Sequence, residues 1–378
     1  MSTLRELIAD RIRTSGPISF AEFMELSLYH PELGYYARAS RNTGRAGDFF
    51  TSVDVGSMYG ELLATQFAEM WRLMAPNTAG PELPAFDLVE VGASDGRLSR
   101  DILDAAQRND PTFYAAIKLS LIEASPAARA AQSDTLGPHA PLLTFAGAAL
   151  PDAIDGVIFA NELLDALPTR AVVMTENGLR EVFVDLDRST PAGQAPRFVE
   201  RFQEPSTPRI ADYLARAGAV MYKGARAEVN LAAEDWIKRA AKALQKGFMV
   251  IVDYGHEEAE LYGGSHATGT LTSFKRHTQP GDFLQEPGEC DITAHVDLTA
   301  ITHTAERAGL DVLGRLDQTY FMLGLGIGEL ERMPLQRRLA MKTLLLPGGL
   351  GSTHKVLIFG KDVGKPALKG CSYRMRLT

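Results

Sequence analysis

The chain has 378 residues, 45% hydrophobic and 23% charged, which is the make-up of an ordinary globular protein with room for one large domain or two. A net charge of −8 excludes a nonspecific nucleic-acid surface, which needs excess Lys and Arg, and two cysteines exclude a disulfide scaffold and a cysteine-rich zinc site. No apolar run approaches the roughly 18 residues of a membrane span, and Cys290 and Cys371 fit a reducing compartment.

In chain order, Leu4, Leu7, Ile8 and Ile12 keep helical spacing until Gly16-Pro17 stops it. This amphipathic start carries Arg5, Arg11 and Arg13, but Glu6 and Asp10 argue against a mitochondrial presequence, so we expect a cytoplasmic protein. Ser19, with Glu22 three residues on, opens a second helix. Tyr29–Tyr36 is aromatic and turn-rich, and Arg41–Ser52 is a Gly-punctuated loop carrying Asp48, Thr51 and Ser52, in composition either a surface connection or a lid. A helix over Val55–Leu73 and a Pro/Gly linker follow.

The stretch Phe86–Leu103, FDLVEVGASDGRLSRDIL, reads as a buried strand, a glycine-bearing turn and the start of a helix. Small residues in such a turn let a ligand touch the backbone, and the helix end behind offers free N–H groups. The turn lacks the G-x-G-x-x-G spacing that seats a pyrophosphate. Glu90, Gly92 and Gly96 instead come close to the E/D-x-G-x-G-x-G of S-adenosylmethionine-dependent methyltransferases, with Ser94 in place of the middle glycine. An acid there suits a cationic, phosphate-free cofactor. Taken alone, the turn also fits an ordinary structural βα connection.

Leu119–Glu123 is a second buried strand, and Glu123 at its end is placed to accept the two hydroxyls of a ribose. A third strand over Leu142–Phe145 leads to Gly147–Leu150, where Ala148 is a candidate to line the adenine; Gly156–Ala160 is a fourth, ending in the polar tip Asn161–Pro168. The alternation from Arg170 to Asp187 around Asn177-Gly178 predicts an inserted hairpin, and Pro191–Pro208 reads as loosely structured. Asp235–Gln245 is a crossover helix and Phe248–Val252 a fifth strand. His256–Thr293 is a long polar excursion containing Arg276, His277, Asp291 and Thr293. Val312–Leu316, Tyr320–Leu325 and Val356–Phe359 are strand candidates, the middle one also compatible with helix, and Glu329–Leu345 is a basic amphipathic helix.

Five motifs in this order, GDFFTS at Gly47–Ser52, VEVGASDG, NELLDALP at Asn161–Pro168, DYG at Asp253–Gly255 and PGECDITAHVD at Pro287–Asp297, resemble the MidA-like family, which includes a mitochondrial methyltransferase of respiratory complex I assembly. The match spans roughly Ile18–Phe359. The resemblance implies an α/β class I methyltransferase fold, a Rossmann-like seven-stranded mostly parallel sheet with one antiparallel strand, extended by N-terminal helices and inserted hairpin and loops. It implies S-adenosyl-L-methionine as cofactor and, by analogy, an arginine of a partner protein such as a complex I subunit as acceptor. The expected organisation is a helical extension and lid loop over residues 1–80, a first half-core over 81–170, an insertion over 171–230 and a second half-core over 231–378 with the excursion 256–293.

The candidate cofactor residues are Glu90, Gly92, Ser94, Gly96, Glu123 and Ala148, with Asp48 and Thr51 from the lid-like loop. Carboxylates that hold a guanidinium by paired hydrogen bonds can localise its charge and take up its proton. Glu162 and Asp165, with Asn161 between strand and carboxylates, are the candidate catalytic residues, and His295 joins them from the loops alongside Asp253 and His277. No metal is expected, because His256-Glu257-Glu258 lacks the H-E-x-x-H spacing; a serine hydrolase is excluded by the missing G-x-S-x-G. A non-catalytic assembly module and a small-molecule methyltransferase are the alternative readings.

Overall fold

Caps in the sequence decide where the first helices of this computed structural model begin, and the described residues are 3–39, 52–74, 84–191, 193–275, 282–326, 341, 344–345 and 353–373. Asp48, Thr51, Arg276, His277 and most of Glu329–Leu345 lie outside them. The chain starts with α1 (Leu4–Ser15), β1 (Ile18–Ser19), α2 (Phe20–Tyr29), α3 (Tyr35–Ala39) and α4 (Met58–Met74). Thr3 and Glu6 close a reciprocal capping box on α1, and the Ser19 hydroxyl accepts from Glu22 N to start α2. A βα alternation follows: β2 (Phe86–Val91), α5 (Arg97–Asn109), α6 (Pro111–Ala116), β3 (Ile117–Ile122), α7 (Pro126–Leu136), β4 (Leu143–Gly147) and β5 (Ile154–Asn161). Next come β6 (Arg170–Thr175), β7 (Gly178–Leu186), β8 (Phe198–Gln203), α8 (Arg209–Arg216), β9 (Arg226–Val229), α9 (Leu231–Ala243) and β10 (Leu244–His256). The described chain ends with α10 (Glu258–Leu261), β11 (Thr272–Phe274), β12 (Asp291–Thr293), β13 (Val296–Asp297), α11 (Leu298–Arg307), β14 (Asp311–Asp317), α12 (Gln318–Gly324) and β15 (His354–Lys361).

These elements fall into two compact units, Met1–Phe50, Leu164–Trp236 and Gly255–Ile301 in the first, Thr51–Leu163, Ile237–Tyr254 and Thr302–Thr378 in the second. The four consecutive segments expected from the sequence are thus regrouped: the N-terminal helices, the hairpin insertion and the loop excursion share one unit, while α4 goes with the other.

In the second unit the sheet runs β14-β15-β10-β5-β2-β3-β4. β2 pairs in parallel with β3 and β5, as do β3 with β4 and β5 with β10, whereas β15 is antiparallel to both β10 and β14. The sheet is thus mixed in the expected sense, with β15 alone running against the other strands of this path. Every residue of β2 except Asp87 is buried, as a strand covered on both faces requires. Phe86, Phe159 and Phe248 pack with Phe67 and Trp71 of α4 and with Phe113, the Phe67 and Phe159 rings lying 5.1 Å apart. Each such fully buried ring contributes about 1.5–3 kcal/mol. The strand candidate Tyr320–Leu325 is helical through Gly324 as part of α12, where Phe321 and Met322 face this core three and four residues after Gln318.

The first unit holds an antiparallel sheet, β1-β7-β6-β9 with β8 on β7, and a β11–β12 ribbon. The expected hairpin is present, but Thr175 pairs with Gly178, so Glu176 and Asn177 form the loop. Pro191–Pro208 is not loose throughout, because β8 pairs along β7 from Leu186 to Glu181 and buries Phe198 against Phe23, ring centroids 5.9 Å apart. The excursion after His256 also gains order from partners distant in sequence: Thr272–Phe274 pairs with Asp291–Thr293.

Candidate active site

Within the second unit the strand order reverses at β2, since β3 and β4 extend to one side and β5 and β10 to the other. Ligands of such sheets bind outside the carboxyl ends of the strands at that reversal. Val91 is level with Ala160, and Val252 with Asn161, so the ends of β2 and β5 and the Val252 level of β10 present one edge.

The turn leaving β2 is pinned at its base by Gly92 N and Ala93 N, which donate to Ile122 O at 2.9 and 3.1 Å. Gly92 and Gly96 adopt φ of +74° and +86°, the left-handed region in which a side chain is strained, and a Cβ on Gly96 would also lie 3.1 Å from Leu121 Cδ1. Ser94 has φ of +48° as well, so the position at which the motif carries its middle glycine does need left-handed backbone. Serine holds it at a cost of about 1–3 kcal/mol, offset by Gln132 Nε2 donating to Ser94 O at 2.9 Å.

Glu123, half-buried after β3, accepts from Ser94 N at 2.9 Å through Oε2 and from Ser125 N at 2.7 Å through Oε1. Each oxygen keeps a further lone pair, the requirement for accepting two ribose hydroxyls. Ala148, exposed just past β4, follows Gly147, whose carbonyl accepts from Glu123 N at 2.8 Å. Glu90 differs from the exposed anion that its motif suggests. It is 4% exposed and accepts from Ser99 Oγ, and burial pushes its carboxyl up to about 8, with Asp95 and Glu123 adding and Ser99 opposing.

At the end of β5, Glu162 stands at φ of +50°, a strained backbone for a non-glycine residue and of the kind that gathers at functional sites. Its N–H donates to Val252 O at 2.8 Å, and its Oε1 accepts from Asn161 Nδ2 at 3.1 Å and lies 3.6 Å from His354 Nε2. Asn161 is set in turn by Tyr59, whose hydroxyl donates to Oδ1 at 2.7 Å. Burial, then Glu162, Glu90 and Asp253, push the Tyr59 phenol well above its ordinary value, so it stays a donor. Asp253, 1% exposed, accepts from Leu163 N at 3.1 Å and Tyr254 N at 2.9 Å and so fixes the chain after Glu162.

Glu90, Gly92, Ser94, Gly96, Glu123, Ala148, Asn161 and Glu162 thus belong to one unit, and Asp165 and His295 to the other. There Asp165 is buried, its carbonyl accepting from Ala294 N at 3.0 Å. His295 packs beside His256 and His266, ring centroids 5.0 and 5.9 Å away, and burial followed by those two neighbours lowers it to about 4. Sequence reasoning missed Tyr59, Ser99 and His354. Tyr59 has the spacing of a core residue and His354 stands in no motif, but Ser99, nine residues after Glu90 and one helical turn into α5, carried a usable signal.

The donor set fits a cofactor with a ribose and no phosphate: Gly92 and Ser94 are exposed, and Glu123 is ready for hydroxyls and would oppose a pyrophosphate. The mitochondrial protein arginine methyltransferase NDUFAF7 of Danio rerio is 31% identical over 347 residues, 85% of this chain and 76% of its own length. That of Mus musculus is 30% identical over 375 residues, 93% of this chain and 78% of its own. A Burkholderia thailandensis protein crystallised with S-adenosyl-homocysteine superposes with a TM-score of 0.85 at 28% identity, covering 99% of this chain and 95% of that one. Residues 62–316 match the S-adenosyl-L-methionine-dependent methyltransferase family that the five motifs resemble, and the chain belongs to that MidA-like family, with S-adenosyl-L-methionine as its cofactor.

Proposed function

We propose that this methyltransferase has the class I architecture and transfers its methyl group to an arginine of a partner protein, with Glu162 holding the guanidinium. The observation that carries the reading is the strained Glu162 at the tip of β5, beside the turn that follows β2 and locked by Asn161 and Val252. When bound, the cofactor supplies an electrophilic methyl on a sulfonium. The chain's own residues align the acceptor and desolvate it. A guanidinium is a poor nucleophile while its charge is delocalised, and the Glu162 carboxylate would localise that charge and take up the proton released on transfer. Asn161, held by Tyr59, keeps Oε1 of Glu162 in place. Glu90, Gly92, Ser94, Gly96, Glu123 and Ala148 would hold the cofactor, and Asp48 and Thr51 stay in the same set on their motif alone.

The relatives named above as protein arginine methyltransferases support the acceptor, and the family resemblance makes a respiratory complex I subunit the first candidate. We place the protein in the cytoplasm, which fractionation of its cells tests. Mass spectrometry of partner proteins from cells with and without the gene tests the acceptor: arginine methylation lost from a partner supports the reading. Unchanged arginine methylation beside measurable cofactor binding sinks it in favour of a small acceptor, and no cofactor binding at millimolar concentration would reduce the fold to an assembly module.

A further inference from the structure

Three histidines far apart in sequence meet in the first unit. His256 ends β10, His266 closes the short 3-10 turn Gly264–His266, and His295 lies in the link between β12 and β13. One ligand atom from each can be chosen so that all three lie within 4.8 Å of one another, with the rings half-buried and open to an ion. Ring centroids are 4.6 Å apart for His256 and His266 and 5.0 Å for His256 and His295.

Two of the rings have an acceptor oxygen beside Nδ1. Nδ1 of His266 lies 3.0 Å from the carbonyl of Glu260, and Nδ1 of His256 lies 3.0 Å from Oε1 of the same residue. A carbonyl and a carboxylate can only accept, so a neutral ring placed this way favours its proton on Nδ1 and its lone pair on Nε2. Metal-binding histidines are prepared in this way, one nitrogen donating to an oxygen so that the other can ligate. His295 is positioned through its backbone: its N–H donates to Thr270 Oγ1 at 3.1 Å, and the Thr270 hydroxyl and N–H donate to the buried Glu228 carboxylate at 2.9 and 2.8 Å.

We propose that His256, His266 and His295 form a binding site for a divalent transition metal of the zinc class, with Glu260 orienting two of the three ligands. Three imidazoles without a thiolate suit zinc, cobalt or nickel rather than calcium or magnesium, which take oxygen. Tetrahedral zinc with bonds of about 2.0 Å needs ligand atoms about 3.3 Å apart, which small rotations of the rings would supply from the present spacing. The fourth position falls to water. Such an ion would clip the end of β10 to the 264–266 turn and to the β12–β13 link. The site is independent of the methyl-transfer reading and runs against the expectation of no metal, which rested on linear motifs that the spacing of 256, 266 and 295 does not match.

The test uses the full chain without a polyhistidine tag, stripped with EDTA and titrated with zinc chloride. About one zinc per chain is expected, with X-ray absorption showing imidazole nitrogen at about 2.0 Å. H266A should bind zinc at least about tenfold more weakly while keeping its affinity for S-adenosylmethionine, which serves as the fold control, and E260Q should weaken zinc about tenfold without abolishing it. Zinc held by wild type no more tightly than by the triple variant H256A/H266A/H295A would overturn the proposal, as would a wild-type absorption spectrum with oxygen ligands only. Where H266A fails to fold, the wild-type spectrum decides.

Discussion

The two units bury their sheets by different means. In the second, β2, β3 and β4 alternate with helices, and both faces of β2 are covered, so the strands carry almost continuous apolar runs and their polar ends concentrate at one edge. In the first, strands taken from residues 18–19, 170–186, 198–203 and 226–229 pair antiparallel and keep mixed burial, with β8 passing from a buried Phe198 to exposed Phe202 and Gln203. The parallel unit therefore concentrates chemistry at strand ends, whereas the antiparallel unit depends on joining distant segments. Buried Glu90 and Asp253 lie near strand ends in one, and the histidine trio of the other joins the end of β10 to a 3-10 turn and to the β12–β13 link.

The largest effect expected of a single change lies at the edge of the parallel sheet. Glu162→Gln should lower kcat by about 10²–10⁴-fold with cofactor affinity retained; turnover equal to wild type would remove Glu162 from the chemistry. The matching change in the antiparallel unit is Phe23→Ala, which empties a fully buried ring site and should cost about 3–5 kcal/mol. Hydrogen exchange should then speed up in β1, β7 and β8, and an equal loss of protection in β2 and β3 would contradict the division into units.

Glu123→Ala should weaken S-adenosylmethionine by about tenfold to a hundredfold in calorimetry, because it removes a charged acceptor and frees the N–H groups of Ser94 and Ser125. A smaller effect concerns pH. The Glu90 carboxyl is raised to about 8 from an ordinary 4.5, so its contribution to stability is complete below about 4.5 and is lost as pH rises through about 8. Denaturant midpoints should fall over that window in the cofactor-free protein and fall less in Glu90→Gln; identical slopes would mean that Glu90 titrates normally. The smallest effect is Ser94→Gly, which relieves the left-handed serine and should raise Tm by a few degrees, about 1 kcal/mol. A lower Tm would show that the serine side chain contributes more than its backbone strain costs.

The sequence by itself determined the cofactor class and the strand ends of the parallel unit. The turn from Gly92 to Gly96, the acid Glu123 one strand on and the polar tip Asn161–Glu162 are local patterns, and a βα unit brings residues near in sequence to the same sheet edge. It also identified position 94 as a glycine site, although not that the serine there takes the same left-handed backbone. Tertiary structure alone decided the rest. Glu90 became a buried acid only because α5 brings Ser99 over it, and Tyr59 and His354 reach Asn161 and Glu162 from elements 102 and 192 residues away in the chain, intervals that no periodicity encodes. The β8 strand and the three histidines acquire their order from partners far along the chain, since antiparallel pairing and loop clustering are specified by contacts that exist only once the chain has closed on itself.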